Sequence, residues 1–408
     1  MRTRFVSFFT LLRQRPHFRR LWLASVISML GDWLSYVAVS VVALKHGGGA
    51  LAVGLVMMSH TLPVALVSPI AGPLADRVDR RTLMVVADLG AAALTFAMWL
   101  AAHNQAVGWL QVFLLLRVAI SSLNLTACSA ALPTLVEKEE LATANAFNGL
   151  TWSLLFAGGT ALGGLLAAWL GAGEAILLDA LSFVVSAIVV LGLPRLRPPP
   201  PETAPPRPGL RDLAAAWHFA RPRPQLLASL LAKTPVALLT AAGWVSINIL
   251  AQGRHTALGL SSVAAALGLM HAVRAIGTGV GPLIPRHWLP FESNISGPLT
   301  FIGISTFLVF DSPALFLPGL FLWGVGTGHN WVASTVAIQV GTPGHLLGRM
   351  SGLDMMCMTL GQATLAVAAG LAIDWTGVGS AGGWLGLGLG VAGWVPLMVL
   401  QRRKAVVT

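Results

Sequence analysis

The stretch GPLADRVDRR, Gly72 to Arg81, sets five charged residues into the six positions from Asp76 to Arg81. Charged residues make up only 10% of the chain. Apolar runs flank the knot: LVMMSHTLPVALVSPIA, 55–71, before it and TLMVVADLGAAALTFAMWLAA, 82–102, after it. Each is close to the ~20 residues a helix needs to cross the hydrocarbon core of a bilayer. A charge cluster between two such runs reads as a tight turn held at a membrane surface.

The same pattern extends over the whole chain. Of its 408 residues 55% are hydrophobic, and the mean hydropathy is +0.76. Soluble domains carry about 25% charged residues, so the depletion here points to lipid as the solvent. Twelve spans are predicted. The first six lie near 18–44, 50–75, 80–102, 109–134, 140–170 and 174–194, and the second six near 225–250, 258–284, 296–310, 313–341, 346–373 and 382–401. Pro285, Pro290 and Pro298 crowd the start of the ninth. The two cysteines, Cys128 and Cys357, fall inside spans without metal-ligand neighbours and read as small packing residues. No metal site and no cofactor is expected.

The basic residues set the orientation. With the N-terminus inside, cytoplasmic segments hold 21 of the 26 Lys and Arg, while outside loops hold Lys45 and Arg254. Both termini are therefore expected in the cytoplasm. Six arginines precede the first span, as in a signal peptide, but the apolar run from Leu21 to Leu44 is too long for an h-region, so the first helix is expected to be retained. The net charge of +11 fits contact with anionic lipid headgroups. Its scatter over separate loops speaks against a nucleic-acid surface.

Between the sixth and seventh spans, PRLRPPPPETAPPRPG and LRDLAAAWHFARPRP form a linker, 195–224, whose proline-rich part is a semi-rigid spacer. Leu210, Leu213 and Trp217 share one helical face, away from Arg211, Asp212 and His218. A short amphipathic helix on the inner leaflet is expected there. The chain thus divides into an N-terminal half, 1–194, and a C-terminal half, 225–408. LVEKEELATANAFNGL and QVGTPGHLLGRMSGLD occupy equivalent places in the two halves, a weak internal repeat.

The charged knot carries a resemblance. Gly72, three residues, Asp76, Arg77, one residue, Asp79, Arg80 and Arg81 resemble the signature between the second and third helices of the major facilitator superfamily. Asp79 stands where most members have Gly. FRRLWLASVISMLGDWL (18–34), LLDALSFVVSAIVV (177–190) and HLLGRMSG (345–352) resemble the branch containing enterobactin exporters and macrolide-efflux proteins. The second-half counterpart, GPLIPRHW, keeps Gly281 and Arg286 but lacks an acid matching Asp76. The resemblance implies two pseudo-symmetric six-helix halves, an all-α membrane fold and alternating access. Gly72, Asp76, Arg77, Arg80 and Arg81 would then form a cytoplasmic latch, with Asp76 meeting the N-terminus of the eleventh span; the alternative is a positive-inside anchor. Gly159, Gly163 and Gly164 resemble the family's antiporter motif, with Thr160 in place of its proline. As a helix-packing motif they are equally well explained.

Charges inside the membrane are costly and invite functional readings. Asp32 and Arg117 fall at similar depth in the first and fourth spans, which the resemblance places on the cavity. An Asp–Arg pair there would serve proton coupling, or else fix helix packing. Arg117 matches a fourth-helix arginine of family exporters, though Ser121 replaces the following Gly. His60, His271 and Arg274 lie near mid-span without an assigned role, as do Asp88 and Asp179. Trp33, Trp244, His329, Asn330 and Trp331 are the candidate substrate-cavity residues.

No phosphate-binding loop and no Ser/His/Asp or metal constellation occurs, so an enzyme is not expected. The reading is a monomeric secondary transporter in a bacterial-type inner membrane. It would export an amphipathic small molecule, a drug or natural product, by proton antiport. Its partners are substrate, protons and lipid. A lipid or lysophospholipid transporter is one alternative, and a non-transporting membrane scaffold or sensor is another.

Overall fold

The computed structural model describes residues 8–46, 48–75, 77–137, 139–197, 210–284 and 295–402. Fifteen α-helices and no strand occur among them. They are α1 Phe8–Gln14, α2 Pro16–His46, α3 Ala50–Ala75, α4 Arg80–His103, α5 Val107–Leu135, α6 Leu141–Trp169, α7 Ala172–Leu191 and α8 Leu210–Ala220. The second part continues with α9 Pro224–Leu231, α10 Lys233–Arg254, α11 Val263–Val280, α12 Ser296–Val309, α13 Pro313–Gly341, α14 Gly344–Thr376 and α15 Ala381–Arg402.

Ten segments are long and apolar enough to cross a membrane, α9 and α10 counting together as one. The other two expected spans are α12, apolar but only 14 residues long, and α13, 29 residues long and interrupted by Pro318, His329 and Asn330. All twelve expected segments are helical, in α2–α7 and α9–α15, and ten of them are long and apolar enough to span. Backbone groups in hydrocarbon must be satisfied within the helix, and the described spans run unbroken except the seventh, which is divided at Ala232 between α9 and α10. Asp79 shows how one such end is made. Its side chain accepts the backbone N–H of Thr82 at 3.0 Å and caps α4, which accounts for an acid where the family signature carries Gly. At the opposite surface Gly377 closes α14 at φ +69°, a conformation that favours glycine.

The packing repeats itself. In the first group α2 packs on α6 and α7, α4 on α5 and α7, and α3 on α5. In the second group α10 packs on α14 and α15, α12 on α13 and α15, and α11 on α13. Moving each first-group pair six spans along the chain generates a second-group pair. The two seams between the groups, α3 with α14 and α6 with α11, exchange under the same operation. This is a two-fold arrangement of six-helix halves.

Burial changes along the bundle. In α2, Leu34 to Ala43 are all buried, whereas Ser25 to Leu30, nearer the chain terminus, are only half-buried. In α6, Asn148, Gly149 and Leu150 are exposed, whereas Gly159, Thr160, Gly163 and Gly164 are buried. The bundle is sealed at the end away from the termini and looser at the end that carries them.

The linker helix α8 differs from expectation. Leu213, Ala216, Phe219 and Ala220 join a cluster with Leu226, Ile338, Met350 and Leu353, while Trp217 is exposed. The face turned inward thus lies on the protein, and the small Ala216 and Ala220 let α8 approach α14 closely. Residues 198–209 lie outside the described residues.

Candidate functional site

The first half holds a buried charge network. Arg117 of α5 is 2% exposed, and its Nη2 donates both to Asp32 of α2 and, at 3.0 Å, to Asp179 of α7. Ser35 Oγ donates to Asp179 Oδ2 at 2.5 Å, one turn along α2 from Asp32. Gly31 makes room for this: a β-carbon there would stand 2.5 Å from Asp179 Oδ1. The two acids differ in access. The Asp32 side chain is 36% exposed and that of Asp179 is 0%. One cation is shared by two carboxylates, so full ionisation of all three leaves a net negative charge inside the membrane. In the same half, Asp88 accepts from Asn124 and, at 2.6 Å, from Ser186.

A second centre lies between the halves. Trp33 and Tyr36 of α2, His60 of α3 and Phe156 of α6 meet Trp244 of α10 and His271 of α11. Ring centroids stand 4.4 Å apart for Trp33 and Phe156, 5.0 Å for Tyr36 and His60, 5.2 Å for Tyr36 and Trp244, and 4.9 Å for Trp244 and His271. The half-exposed Trp152 forms its rim, 6.0 Å from Trp33. Trp33 and Trp244, expected in a cavity wall, therefore share one aromatic cluster.

The other expected cavity residues separate. His329 is 5% exposed and pairs with Ser296 of α12 at 2.8 Å, and Asn330 Nδ2 donates to the Ala232 carbonyl at 3.2 Å. Trp331 is exposed and lies over Lys233, whose Nζ is 4.8 Å from the ring centroid. Successive helical residues point in different directions, so the three cannot share one face. Lys233 also donates to Asp354 and, at 2.9 Å, to Thr335.

The small-residue motif of α6 brings helices together on two sides. A β-carbon at Gly159 would stand 2.6 Å from Trp33 Cβ, and one at Gly163 would stand 2.8 Å from the Leu34 carbonyl oxygen. At Gly164 it would stand 2.5 Å from the Ala264 carbonyl oxygen and 2.8 Å from Gly268 Cα, on α11 of the other half. In the charged knot, Asp76 lies outside the described residues, and Gly72 lies within α3. Arg77 is exposed and Arg81 half-buried. Arg80 is buried, donating to the Ala75 carbonyl at 3.2 Å and the Ala130 carbonyl at 2.8 Å. That residue ties the turn to α5.

Two groups escaped the sequence reading. Asp179 had no visible partner because Arg117 and Ser35 come from other helices; its one local signal is an acid within LLDALSF. Asp374, at the end of α14, accepts backbone N–H groups of Ala50 at 2.8 Å and Leu51 at 2.9 Å, capping α3 of the other half at the sealed end.

Comparison with known proteins agrees with this architecture. The family model described as Major Facilitator Superfamily matches residues 21–366. The uncharacterized MFS-type transporter YfiS of Bacillus subtilis is 25% identical over 419 residues, covering 98% of this chain and 97% of that protein. The enterobactin exporter EntS of Citrobacter koseri is 30% identical over 408 residues, covering 97% and 94%. Among solved structures, the nucleoside transporter NupG superposes with a TM-score of 0.73 at 12% identity, over 95% of this chain and 99% of that one. A bacterial homologue of the iron transporter ferroportin, in an inward-facing state, gives 0.71 at 15% identity over 98% and 100%. The chain belongs to the Major Facilitator Superfamily and is a multi-pass membrane transporter, not an enzyme.

Proposed function

We propose that this transporter exports an amphipathic small molecule by proton antiport, with alternating access at a midplane site. One observation carries the coupling: Asp32 and Asp179 share Arg117, and Asp32 alone of the two acids is open. Asp179, fully buried and held by Ser35, is the fixed counterion that keeps Arg117 in place. Asp32 is the exchangeable acid. Its protonation releases its share of the guanidinium and removes the excess negative charge, so a proton is taken up where bare charge costs most.

The aromatic residues support the substrate class. The cluster of Trp33, Phe156 and Trp244 is rimmed by the exposed Trp152, and Trp331 is exposed apart from it. Apolar area of this kind is worth about 25 cal/mol per Å² buried, with a small set of polar groups to set orientation. A sugar would need a denser hydrogen-bonding wall. Export is the direction supported by the enterobactin-exporter relatives. The excess of Lys and Arg on one side supports an inner-membrane location with both termini cytoplasmic, and the bundle is then open inward. The chain is read as a monomer, with the linker 195–224 joining the halves and the latch at Gly72, Asp76, Arg77, Arg80 and Arg81 closing the inner side.

The test is accumulation of a panel of amphipathic fluorophores in proteoliposomes under an imposed pH gradient. Wild type should accumulate at least one dye and lose it when the gradient is collapsed. Asp32→Asn should keep dye exchange at zero gradient but lose gradient-driven accumulation. Accumulation indifferent to the gradient would refute the antiport reading.

A further inference from the structure

Arg274, on α11, is 2% exposed and stacks against three aromatic faces. Its guanidinium carbon lies 4.1 Å from the ring centroid of Trp244 and 4.9 Å from those of Phe156 and Trp323. These faces soften the cost of burying the charge without using its N–H donors. Its Nε and Nη2 have no hydrogen-bond partner. Those two nitrogens lie on one edge of the guanidinium, the edge that binds a carboxylate with two parallel hydrogen bonds. One turn earlier on the helix, both ring nitrogens of the buried His271 are also unpartnered, as is Trp244 Nε1.

Among the described residues within the spans, Asp32 and Asp179 are taken by Arg117, Asp354 by Lys233, Asp88 by Asn124 and Ser186, and Asp374 by the start of α3, while Glu174 lies in the first turn of α7. Leaving a buried guanidinium unpaired is strongly unfavourable, and such a group is retained when a partner arrives from outside or from another state. The site lies at the meeting of the two halves, since Arg274 of α11 stacks on Phe156 of α6 as well as on Trp244 of α10.

We propose that Arg274 is the anchor for a carboxylate on the transported molecule, so that the substrate is an amphipathic organic acid whose apolar body lies on Trp244 and Phe156. The carboxylate takes the free Nε–Nη2 edge, and His271 and Trp244 Nε1 supply further donors. This rests on the reading of the cluster as the substrate site. It does not depend on proton coupling, because its test measures binding without a gradient.

The experiment titrates the purified full chain in nanodiscs with 2-naphthoate and, separately, with the neutral 2-naphthamide, following tryptophan fluorescence and melting temperature. Wild type should bind the acid at least about ten-fold more tightly than the amide, as expected for a charge-assisted bidentate pair. Arg274→Gln should bring the acid down to the amide's affinity while leaving amide binding within about two-fold. Without ligand, Arg274→Gln should melt no lower than wild type, since it removes an unpaired buried charge. Arg274→Lys, which keeps charge but loses the fork, should retain only part of the preference and serves if the glutamine variant is poorly folded. Equal affinity of wild type for acid and amide, or no saturable binding of the acid, overturns the proposal. So does an acid preference that survives in Arg274→Gln, which would instead assign Arg274 to an internal acid in another state.

Discussion

The contact between Asp374 and the start of α3 offers a measurable handle on alternating access. It joins the halves at the sealed end through two backbone N–H donors, those of Ala50 and Leu51. Such a cap is worth about 0.5–2 kcal/mol, and the carboxylate's attraction to the helix N-terminus about 0.3–1 kcal/mol. Asp374 is exposed, so water competes for both partners and the lower part of these ranges applies. Asp374→Ala should then cost the sealed state about 1 kcal/mol, close to five-fold in its population ratio. Asn caps helices as well as Asp does, so Asp374→Asn should lose only the smaller charge contribution.

The assay is electron paramagnetic resonance between spin labels at Asn104→Cys and Thr256→Cys, exposed positions following α4 and α10, with Cys128 and Cys357 replaced by Ser. The short-distance population should fall relative to the long one by about five-fold in Asp374→Ala and by less than about two-fold in Asp374→Asn. An unchanged distribution in the alanine variant would refute the assignment. So would an asparagine variant that shifts as far as alanine, because the cap would then not be what holds the ends.

Other outcomes follow from the same geometry. Asp179→Ala removes the hydrogen bonds of Ser35 and Arg117 to this buried acid while Asp32 still pairs Arg117, and should lower stability by about 1–3 kcal/mol, read as a fall in melting temperature. Gly164→Leu forces a side chain into the Ala264 and Gly268 backbone and should cost about 1–3 kcal/mol, whereas Gly149→Ala, which meets nothing within 4 Å, should be tolerated in the same melting assay. Trp331→Ala should weaken binding of an apolar substrate by about 1–3 kcal/mol in a fluorescence titration, and saturable binding of a hexose unaffected by this change would overturn the amphipathic assignment. Lys233→Met alone should destabilise more than Lys233→Met combined with Asp354→Leu, because the single change leaves an unpaired buried carboxylate.

The spans were legible in the sequence because bilayer thickness fixes their length. The run expected at 80–102 is α4, Arg80–His103, and that expected at 18–44 is α2, Pro16–His46. The seventh span hid a break: α9 ends at Leu231 and α10 begins at Lys233, and no apolar pattern marks that turn. The meeting of Asp32 and Arg117 could be anticipated from their similar depth together with the resemblance, which places both their spans on the cavity. Asp179 could not, because its partners are 144 and 62 residues away and the pairing depends on which way three helices face. The run His329-Asn330-Trp331 misled for a related reason. Residues adjacent in sequence read as one cluster, but a helix spreads them around its circumference, and only the last reaches open space.

The placement of α2 links the two centres. Within six residues it supplies Gly31, whose lack of a side chain admits Asp179, then Asp32 to Arg117 and Ser35 to Asp179. The same stretch sends Trp33 and Tyr36 to the other side, onto Phe156, His60 and Trp244. A rigid helix turn cannot move one set without the other. Occupancy of the aromatic centre that turns α2 would shift the neighbouring Asp32 against Arg117. Loss of the Asp32–Arg117 contact likewise frees α2 to turn its aromatic face. In the proposed cycle this shared stretch makes proton exchange and substrate binding alternatives on one element, with no longer path through the protein required.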